Sequence, residues 1–345
     1  MRVGILTGGG DCPGLNAVIR AVVRRSASHG SEVVGVMDGW QGLVDDRVME
    51  LGLREVSGIL PRGGTILGTT RTNPCRVEGG VESVLRNFGA HQLDALVAVG
   101  GEDTLGVACS LSQEHDFPVV GVPKTIDNDL SSTDYTFGFD TAVSICTEAI
   151  DRLHTTAESH NRVMVVEVMG RYTGWIAVMS GIAGGADVIL IPEHPLTVEE
   201  TCAELESRHR RKDFSIIVVS EGYTLRFESG EERVVLSELA TDEFGHARLG
   251  GVGVELAREI AERTGFETRT TVLGHVQRGG SPTARDRVLA TRFGLRAAEL
   301  VHQSQFGRMA ALRGDEIIDV PLADAVAERK TVPENWYEVA RAFFG

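Results

Sequence analysis

Three segments of the sequence follow short apolar runs and carry residue types that bind phosphate. The first, Gly8–Asn16, begins with consecutive glycines. Glycine lets backbone N–H groups approach a ligand closely, and a following helix would direct its positive N-terminus at an anion. The segment has neither the Walker A pattern nor the GxGxxG spacing. It predicts a phosphate loop, and a dinucleotide site that uses Asp38 or a simple tight turn remain alternatives.

The second segment places Glu102 and Asp103 directly after two glycines at the end of an apolar run. Carboxylates here would repel a bare phosphate, but they suit a phosphate that arrives with Mg²⁺, because this cation takes carboxylate oxygens and keeps several waters. Acidic residues are also common in the first turn of a helix. Both interpretations are open at this point.

The third segment places a cation, a hydroxyl group and two carboxylates close together, at Lys124, Thr125, Asp127 and Asp129. Phosphoryl transfer needs a cation that offsets charge on the transferring group and a carboxylate that accepts a hydroxyl proton. The segment therefore predicts a phosphoryl-transfer site. The alternative is an Asx-turn with a solvated lysine.

Cationic residues flank later apolar runs. Arginine binds a terminal phosphate through two parallel hydrogen bonds. Any one of these arginines is more typical of a surface ion pair, but their joint occurrence at the ends of runs favours a phosphate-binding role. The residues are Arg162, Arg171, Arg269, His275 and Arg278.

Apolar runs rich in Val and Ile alternate with amphipathic helical patterns along the chain. These patterns indicate the strands and helices that would position the residues named above. Near-continuous apolarity predicts strands buried on both faces of a parallel sheet, with ligands beyond the carboxyl ends of the strands. The predicted fold class is therefore α/β, doubly wound and mostly parallel. A polar stretch at 226–249 predicts a surface insertion with a hairpin. The predicted strands are Val3–Thr7, Val33–Met37, Ala95–Val99, Val119–Val122, Val163–Val168, Val188–Ile191, Ser215–Ser220 and Thr270–Leu273.

Composition restricts the class of partner. The chain has 345 residues and a formal net charge of −15, so it would repel nucleic acids and anionic membranes. No apolar run is long enough to span a membrane. The five cysteines are widely spaced, which is typical of reduced thiols in the cytoplasm. We expect a cytoplasmic protein that binds neither nucleic acid nor membrane.

The segments GGDCPGLN, PKTIDND, MGRYTGW, SEG and ETRTTVLGHVQRGGSP occur in this order. Together they resemble the 6-phosphofructokinase family from Arg2 to about Gln303. The resemblance implies two Rossmann-like αβα domains. We expect residues 1–138 with 277–325 to bind the phosphoryl donor, and residues 139–276 with 326–345 to bind fructose 6-phosphate.

The resemblance also implies roles for individual residues. Asp127 would be the base that takes the proton of the sugar 1-hydroxyl, with Thr125 and Asp129 orienting the reacting end. Gly10 would contact the donor, and Arg71 would contact its transferring phosphate. The residues that would hold the sugar phosphate are Met169, Gly170, Arg171, Glu221, His275 and Arg278. Arg162 and Arg269 would reach the site of a neighbouring subunit in a homodimer or homotetramer.

Two positions bear on the donor. Asp103 stands where ATP-using members of the family usually have glycine, and its carboxylate would obstruct and repel the α-phosphate of ATP. Lys124 also replaces a common glycine and could reach a pyrophosphate oxygen. This pair resembles the pyrophosphate-dependent branch, with Mg²⁺ near Glu102 and Asp129, although Glu102 replaces the more common aspartate. The alternatives are an ATP-dependent 6-phosphofructokinase and, more remotely, a non-catalytic sugar-phosphate sensor.

Overall fold

A computed structural model describes residues 1–241 and 247–344 of the chain. The strands are β1 (Arg2–Thr7), β2 (Glu32–Val36), β3 (Val48–Glu50), β4 (Ala95–Gly100), β5 (Val119–Pro123), β6 (Val163–Val168), β7 (Val188–Leu190), β8 (Ser215–Ser220), β9 (Leu225–Arg226), β10 (Glu232–Arg233), β11 (Leu236–Thr241), β12 (Ala247–Leu249), β13 (Thr268–Val272), β14 (Arg308–Arg313) and β15 (Glu316–Pro321). The α-helices are α1 (Leu15–Ser28), α2 (Trp40–Val44), α3 (Gly80–Ala90), α4 (Glu102–His115), α5 (Phe139–His160), α6 (Trp175–Ala183), α7 (Val198–His209), α8 (Val252–Thr264), α9 (Ala284–His302), α10 (Leu322–Ala327) and α11 (Glu334–Arg341).

The first unit comprises Met1–Thr141 and Arg278–Arg329. Its sheet has the strand order β15-β14-β5-β4-β1-β2-β3. The five central strands are parallel, whereas the outer strands β3 and β15 run antiparallel to their neighbours. The strand order reverses between β1 and β4, and in such sheets the carboxyl ends beside the reversal form the ligand-binding crevice.

Burial on both faces explains why these strands read as apolar runs. All six residues of β4 are buried. Leu6 and Leu96 pack in a cluster with Trp40, Leu105 and Leu322 from the helices on one face. Helices α1 and α9 pack against each other and contact the same sheet. Successive strand side chains point to opposite faces, so a sheet with two covered faces needs apolar residues throughout.

The second unit comprises Ala142–Gln277 and Lys330–Gly345. Its main sheet has the order β13-β6-β8-β7, and all of its strand pairs are parallel. Val165, Leu190 and Ile217 pack with Leu256 and Ile260 of α8 in the core. The predicted fold class, α/β with doubly wound and mostly parallel sheets, is confirmed.

Strand β13 differs from the expectation of burial on both faces. It lies at the edge of its sheet with β6 as its neighbour. Arg269 is exposed and the Val272 side chain is 50% exposed. The prediction was wrong here because threonine favours strands without requiring burial, so an edge strand resembled a central one.

The polar insertion is described in part. Strands β11 and β12 pair antiparallel, as the predicted hairpin requires, and residues 242–246 lie outside the described residues. None of the helices within the described ranges is both long enough and apolar enough to cross a membrane.

Candidate active site

Three predicted phosphate-binding loops of the first unit lie side by side, because they leave neighbouring parallel strands at the same edge. The backbone N–H of Gly8, after β1, donates to the carbonyl oxygen of Val99 on β4 at 2.9 Å. The N–H of Lys124, after β5, donates to the carbonyl oxygen of Gly100 at 2.9 Å. The sequence therefore correctly predicted that these loops follow the carboxyl ends of neighbouring parallel strands.

Lys124 and Arg278 both contact the glycine loop. The Lys124 side chain is buried, and its Nζ donates to the carbonyl oxygen of Gly10 at 2.5 Å. Arg278 Nη1 donates to the carbonyl oxygen of Asp11 at 3.2 Å. A Cβ atom on residue 10 would lie 2.7 Å from Arg278 Nη1, so a side chain there would displace the guanidinium. The guanidinium group of Arg278 thus lies close against the backbone of Gly10.

Burial and the nearby charged groups change the pKa of Lys124. Burial lowers the pKa of Lys124, and the nearby guanidinium groups of Arg278 and Arg71 lower it further, whereas Asp11 opposes them. Burial also raises the pKa of the neighbouring Cys12 to about 12, so this thiol is neutral at pH 7. Three cations thus surround the loop of an acidic protein, which favours an anionic ligand.

Helix α4 starts directly behind the glycine loop, with Glu102 and Asp103 in its first turn. The side chain of Thr104 fills the space beside the loop, since a Cβ atom on Gly8 would lie 2.6 Å from Thr104 Oγ1. Trp40 Nε1 donates to the carbonyl oxygen of Thr104 at 3.2 Å. This packing fixes the first turn of α4 beside the loop. Both acids stand at a helix N-terminus, which was one of the two interpretations of the sequence.

The loop after β5 holds Asp127 and Asp129 in one orientation. Thr125 Oγ1 accepts from the Asp127 N–H and donates to Asp129 Oδ1, each at 3.1 Å. Thr136 Oγ1 donates to the Thr125 carbonyl oxygen at 2.7 Å, and the Thr136 N–H donates to Asn128 Oδ1 at 3.1 Å. Burial raises the pKa of Asp129 to about 6, and the Asp127 carboxylate adds to this effect. A hydrogen-bonded turn thus fixes the backbone of Asp127 and the carboxylate of Asp129.

The predicted metal residues Glu102 and Asp129 both lie next to Arg329. Arg329 Nη2 is 2.6 Å from Glu102 Oε2, and Arg329 Nε is 3.9 Å from Asp129 Oδ2. In the part of the chain that the structure describes, no three His, Cys, Asp or Glu side chains converge on one point. Mg²⁺ commonly binds one or two carboxylates and completes its shell with water and substrate phosphate. Two neighbouring carboxylates therefore fit this ion.

Residues predicted to hold the sugar phosphate lie at the carboxyl edge of the second sheet. Met169–Arg171 follows β6 and Glu221 follows β8. The Glu221 N–H donates to the Val168 carbonyl oxygen at 2.8 Å, and Ser220 Oγ donates to the Gly170 carbonyl oxygen at 2.6 Å. Gly170 has a φ of 135°, a conformation that favours glycine. His275 follows β13 at the same edge.

Two positioning residues of this edge were missing from the sequence prediction. The fully buried amide of Gln277 accepts from the Met169 N–H at 3.1 Å and donates to the Gly274 carbonyl oxygen at 3.0 Å. Glu193 Oε2 accepts from the Gly174 N–H at 3.0 Å. Gln277 stands within the quoted GHVQRGG segment, but a neutral amide gives no chemical signal of its role. Only the contacts identify it.

Arg162 and Arg269 lie apart from the other predicted residues of the second unit. They stand at the amino ends of β6 and β13, the opposite edge of the sheet. In each of these arginines, the Nη2 atom lies 2.7 Å from Oε1 of Glu267. The hydrogen bond from Arg162 is the main cause of a lowered pKa at Glu267. Two guanidinium groups thus converge on one carboxylate.

The sequence profile of the family described as Phosphofructokinase matches residues 2–301. The match covers most of the chain and includes the loops after β1, β4 and β5 in the first unit and after β6 and β8 in the second. The chain belongs to the phosphofructokinase family. The resemblance found in the sequence is confirmed.

This phosphofructokinase is similar to enzymes named for two different donors. It is 61% identical, over 100% of both chains, to the pyrophosphate–fructose 6-phosphate 1-phosphotransferase of Amycolatopsis methanolica. It is 53% identical, again over 100% of both chains, to the ATP-dependent 6-phosphofructokinase of Mycobacterium leprae. The crystal structure of a pyrophosphate-dependent phosphofructokinase from Nitrosospira multiformis superposes with a TM-score of 0.84 at 22% identity, over 97% of this chain and 86% of that chain. The last comparison supports the fold alone.

Proposed function

We propose that this phosphofructokinase transfers a phosphoryl group from pyrophosphate to fructose 6-phosphate, giving fructose 1,6-bisphosphate and phosphate in glycolysis. The observation that carries the proposal is the presence of two residues: Asp103 in the first turn of α4, and a buried Lys124 that donates to the Gly10 carbonyl oxygen. The acid occupies space that the α-phosphate of ATP would need, and the lysine supplies a fixed cation for a shorter donor. One phosphoanhydride is exchanged for a sugar ester without ATP, so the reaction runs in both directions.

Asp127 is the proposed general base. It takes the proton of the sugar 1-hydroxyl while the 1-oxygen attacks a phosphorus of pyrophosphate in line, and the bond from that phosphorus to the bridging oxygen breaks. Lys124 and Arg71 offset the negative charge that develops. The hydrogen bonds of Thr125 to the Asp127 N–H and to the Asp129 carboxylate support this assignment, because they fix the turn that carries the base.

Glu102 and Asp129 are the proposed ligands of Mg²⁺. When bound, this ion would neutralise phosphate oxygens and thereby favour attack on the phosphorus. The two carboxylates would hold it, and Arg329 offsets part of their negative charge. The donor thus belongs to the first unit, with Gly10 and Asp103 beside it.

The second unit is proposed to bind fructose 6-phosphate at the carboxyl edge of its sheet. Arg171 and His275 supply cationic and imidazole groups for the phosphate, and Glu221 accepts from sugar hydroxyls. Met169 and Gly170 shape the backbone around the sugar, and Arg278 is proposed as a further ligand of the sugar phosphate.

Arg162 and Arg269 are proposed to serve the sugar-phosphate site of a neighbouring subunit in a homodimer or homotetramer. Their position at the edge opposite to Glu221 supports this role, because in their own unit they stand away from the other sugar residues. Sedimentation velocity distinguishes these assemblies from a monomer, which would contradict the proposal. We also propose a cytoplasmic location, where glycolytic sugar phosphates occur.

ATP is the competing donor, because the Mycobacterium leprae relative is named for it. Initial rates measured on one preparation with saturating fructose 6-phosphate and varied pyrophosphate or ATP separate the two. We expect the higher kcat/KM with pyrophosphate. A higher kcat/KM with ATP would make the pyrophosphate assignment wrong.

A further inference from the structure

Arg329 is a cation that no sequence motif marks, yet it contacts both carboxylates assigned to the metal. Its Nη2 is 2.6 Å from Glu102 Oε2 and its Nε is 3.9 Å from Asp129 Oδ2. The side chains are 30% exposed for Arg329, 49% for Glu102 and 17% for Asp129, so the charges are only partly screened by solvent. A single guanidinium group therefore serves as counter-ion to two acids.

The backbone sets the position of Arg329. Arg329 forms an isolated antiparallel bridge with Leu130, the residue directly after Asp129. Ser131 Oγ donates to the carbonyl oxygens of Asp324 at 2.8 Å and Ala325 at 3.2 Å. Two separate attachments thus hold the segment after α10 against the loop that carries Asp129. The main chain that carries the guanidinium group is therefore fixed beside this loop.

A divalent cation at this place needs carboxylate oxygens that Arg329 already engages. The closer contact, to Glu102, is a charge-assisted hydrogen bond, which is stronger than a neutral one. A metal ion that approaches these acids also meets the repulsion of the guanidinium charge. Both effects lower the affinity of the carboxylate pair for a free metal ion.

We propose that Arg329 is an internal competitor of the metal ion, which keeps the affinity of Glu102 and Asp129 for free divalent cations low. This inference rests on the proposed metal site and not on the identity of the phosphoryl donor. Its consequence is that free metal binds weakly until a pyrophosphate brings further oxygen ligands and negative charge.

The test uses Mn²⁺ alone as the probe, with no pyrophosphate and no sugar phosphate. Electron paramagnetic resonance of free Mn²⁺ gives the dissociation constant directly. The substitution Arg329→Met should tighten Mn²⁺ binding about tenfold, because it removes one like charge a few ångströms away in a partly solvated site. Arg329→Lys keeps the charge and should tighten it much less. Arg25→Met is the control, because it breaks an ion pair of similar length, 2.9 Å from Arg25 to Glu299, in a different part of the first unit. This variant should leave the Mn²⁺ affinity unchanged.

Glu102→Gln distinguishes the two hypotheses. If it weakens Mn²⁺ binding while Arg329→Met leaves the affinity unchanged or lowers it, the competitor role is overturned and the metal site stands. If Glu102→Gln leaves the affinity of the wild type unchanged, the metal site and the inference built on it are both overturned. Should Arg329→Met fail to fold, Arg329→Gln is measured with the same expectation. Donor specificity is decided separately, by the rates with ATP and pyrophosphate.

Discussion

The ammonium group of Lys124 donates a 2.5 Å hydrogen bond to the carbonyl oxygen of Gly10. This bond joins the loop after β5 to the loop after β1 across the end of β4, which lies between them in the sheet. Because Lys124 is only 4% exposed, its charge is fixed in direction and poorly screened. The glycine loop after β1 therefore lies beside a cation that needs no reorganisation when an anion binds.

Replacing Asp103→Gly together with Lys124→Gly tests the basis of donor choice. We expect kcat/KM with pyrophosphate to fall at least about tenfold, because a charge contact in the transition state is lost. Steady-state rates at saturating fructose 6-phosphate measure the change, and the single variants apportion it. Lys212→Gly, a lysine that packs on Phe214 in the second unit, is the control and should keep the wild-type rate. Unchanged pyrophosphate kinetics in the double variant would contradict the roles given to this pair.

Replacing Asp127→Ser should lower kcat by roughly 10²–10⁴-fold, the usual effect of losing a general base. Calorimetric titration with fructose 6-phosphate should give nearly the wild-type affinity, since serine removes the base without filling the site. Asp134→Ser, an acid in the segment that follows the loop, is the control for removal of one negative charge. A nearly normal kcat in Asp127→Ser would exclude this residue as the base.

Gln277→Leu leaves the Met169 N–H and the Gly274 carbonyl oxygen without their partner. An unpaired buried group such as the Met169 N–H costs about 1–3 kcal/mol, so the free energy of unfolding should fall by that order. The KM for fructose 6-phosphate should also rise several-fold, because both groups lie at the edge that we propose to bind the sugar. Asn87→Leu is the control, because it removes a buried amide of the first unit that donates to the carbonyl oxygen of Leu43 at 2.7 Å. It should lose stability without a change in KM, and equal KM values for both variants would exclude a positioning role for Gln277.

The pH dependence of stability tests the buried carboxyl group of Asp286. Its Oδ2 accepts from the Thr141 N–H at 2.8 Å and from Thr141 Oγ1 at 2.5 Å, and burial raises its pKa from 3.8 to about 6. The protonated form is therefore favoured in the fold, and the stability it contributes is lost as the pH rises through about 6. Relative to the wild type, Asp286→Asn should gain about 2 kcal/mol of unfolding free energy between pH 4.5 and 7.5.

Urea unfolding at the two pH values measures this difference. Asp319→Asn is the control: burial raises the pKa of Asp319, but Arg296 and Arg308 lower it more, to below its ordinary range, so this carboxyl group is ionised in the fold at both pH values. The difference in unfolding free energy between that variant and the wild type should therefore be nearly the same at pH 4.5 and pH 7.5. A pH-independent difference between Asp286→Asn and the wild type would show that this carboxyl group is ionised in the fold at both pH values.

Most of the strands could be predicted, as could the edge at which the loops after them lie, because parallel strands buried on two faces are apolar throughout and their carboxyl ends share one edge. The positions of Lys124 and Glu221 followed directly from this rule. The edge position of β13 could not be predicted, because a threonine-rich strand has the same local pattern at an edge and in a centre.

Arg329 could not be predicted either. It lies in a segment without a motif and reaches Asp129 only because β14 and β15 return the chain to the first sheet. Periodicity describes local structure, and it carries no information on which distant segment pairs with β5. Contacts of this kind depend on the closure of the whole unit.

That return of the chain has a consequence for synthesis on the ribosome. Strand β5 gains its partner β14 only after the second unit's central segment has been translated. Until then β5 is an open edge of a parallel sheet, the kind of surface that pairs with other chains. The second unit is likewise closed by Lys330–Gly345. Neither unit can finish folding in the order in which it is made, so a nascent chain of this enzyme depends on rapid release or on protection of the β5 edge.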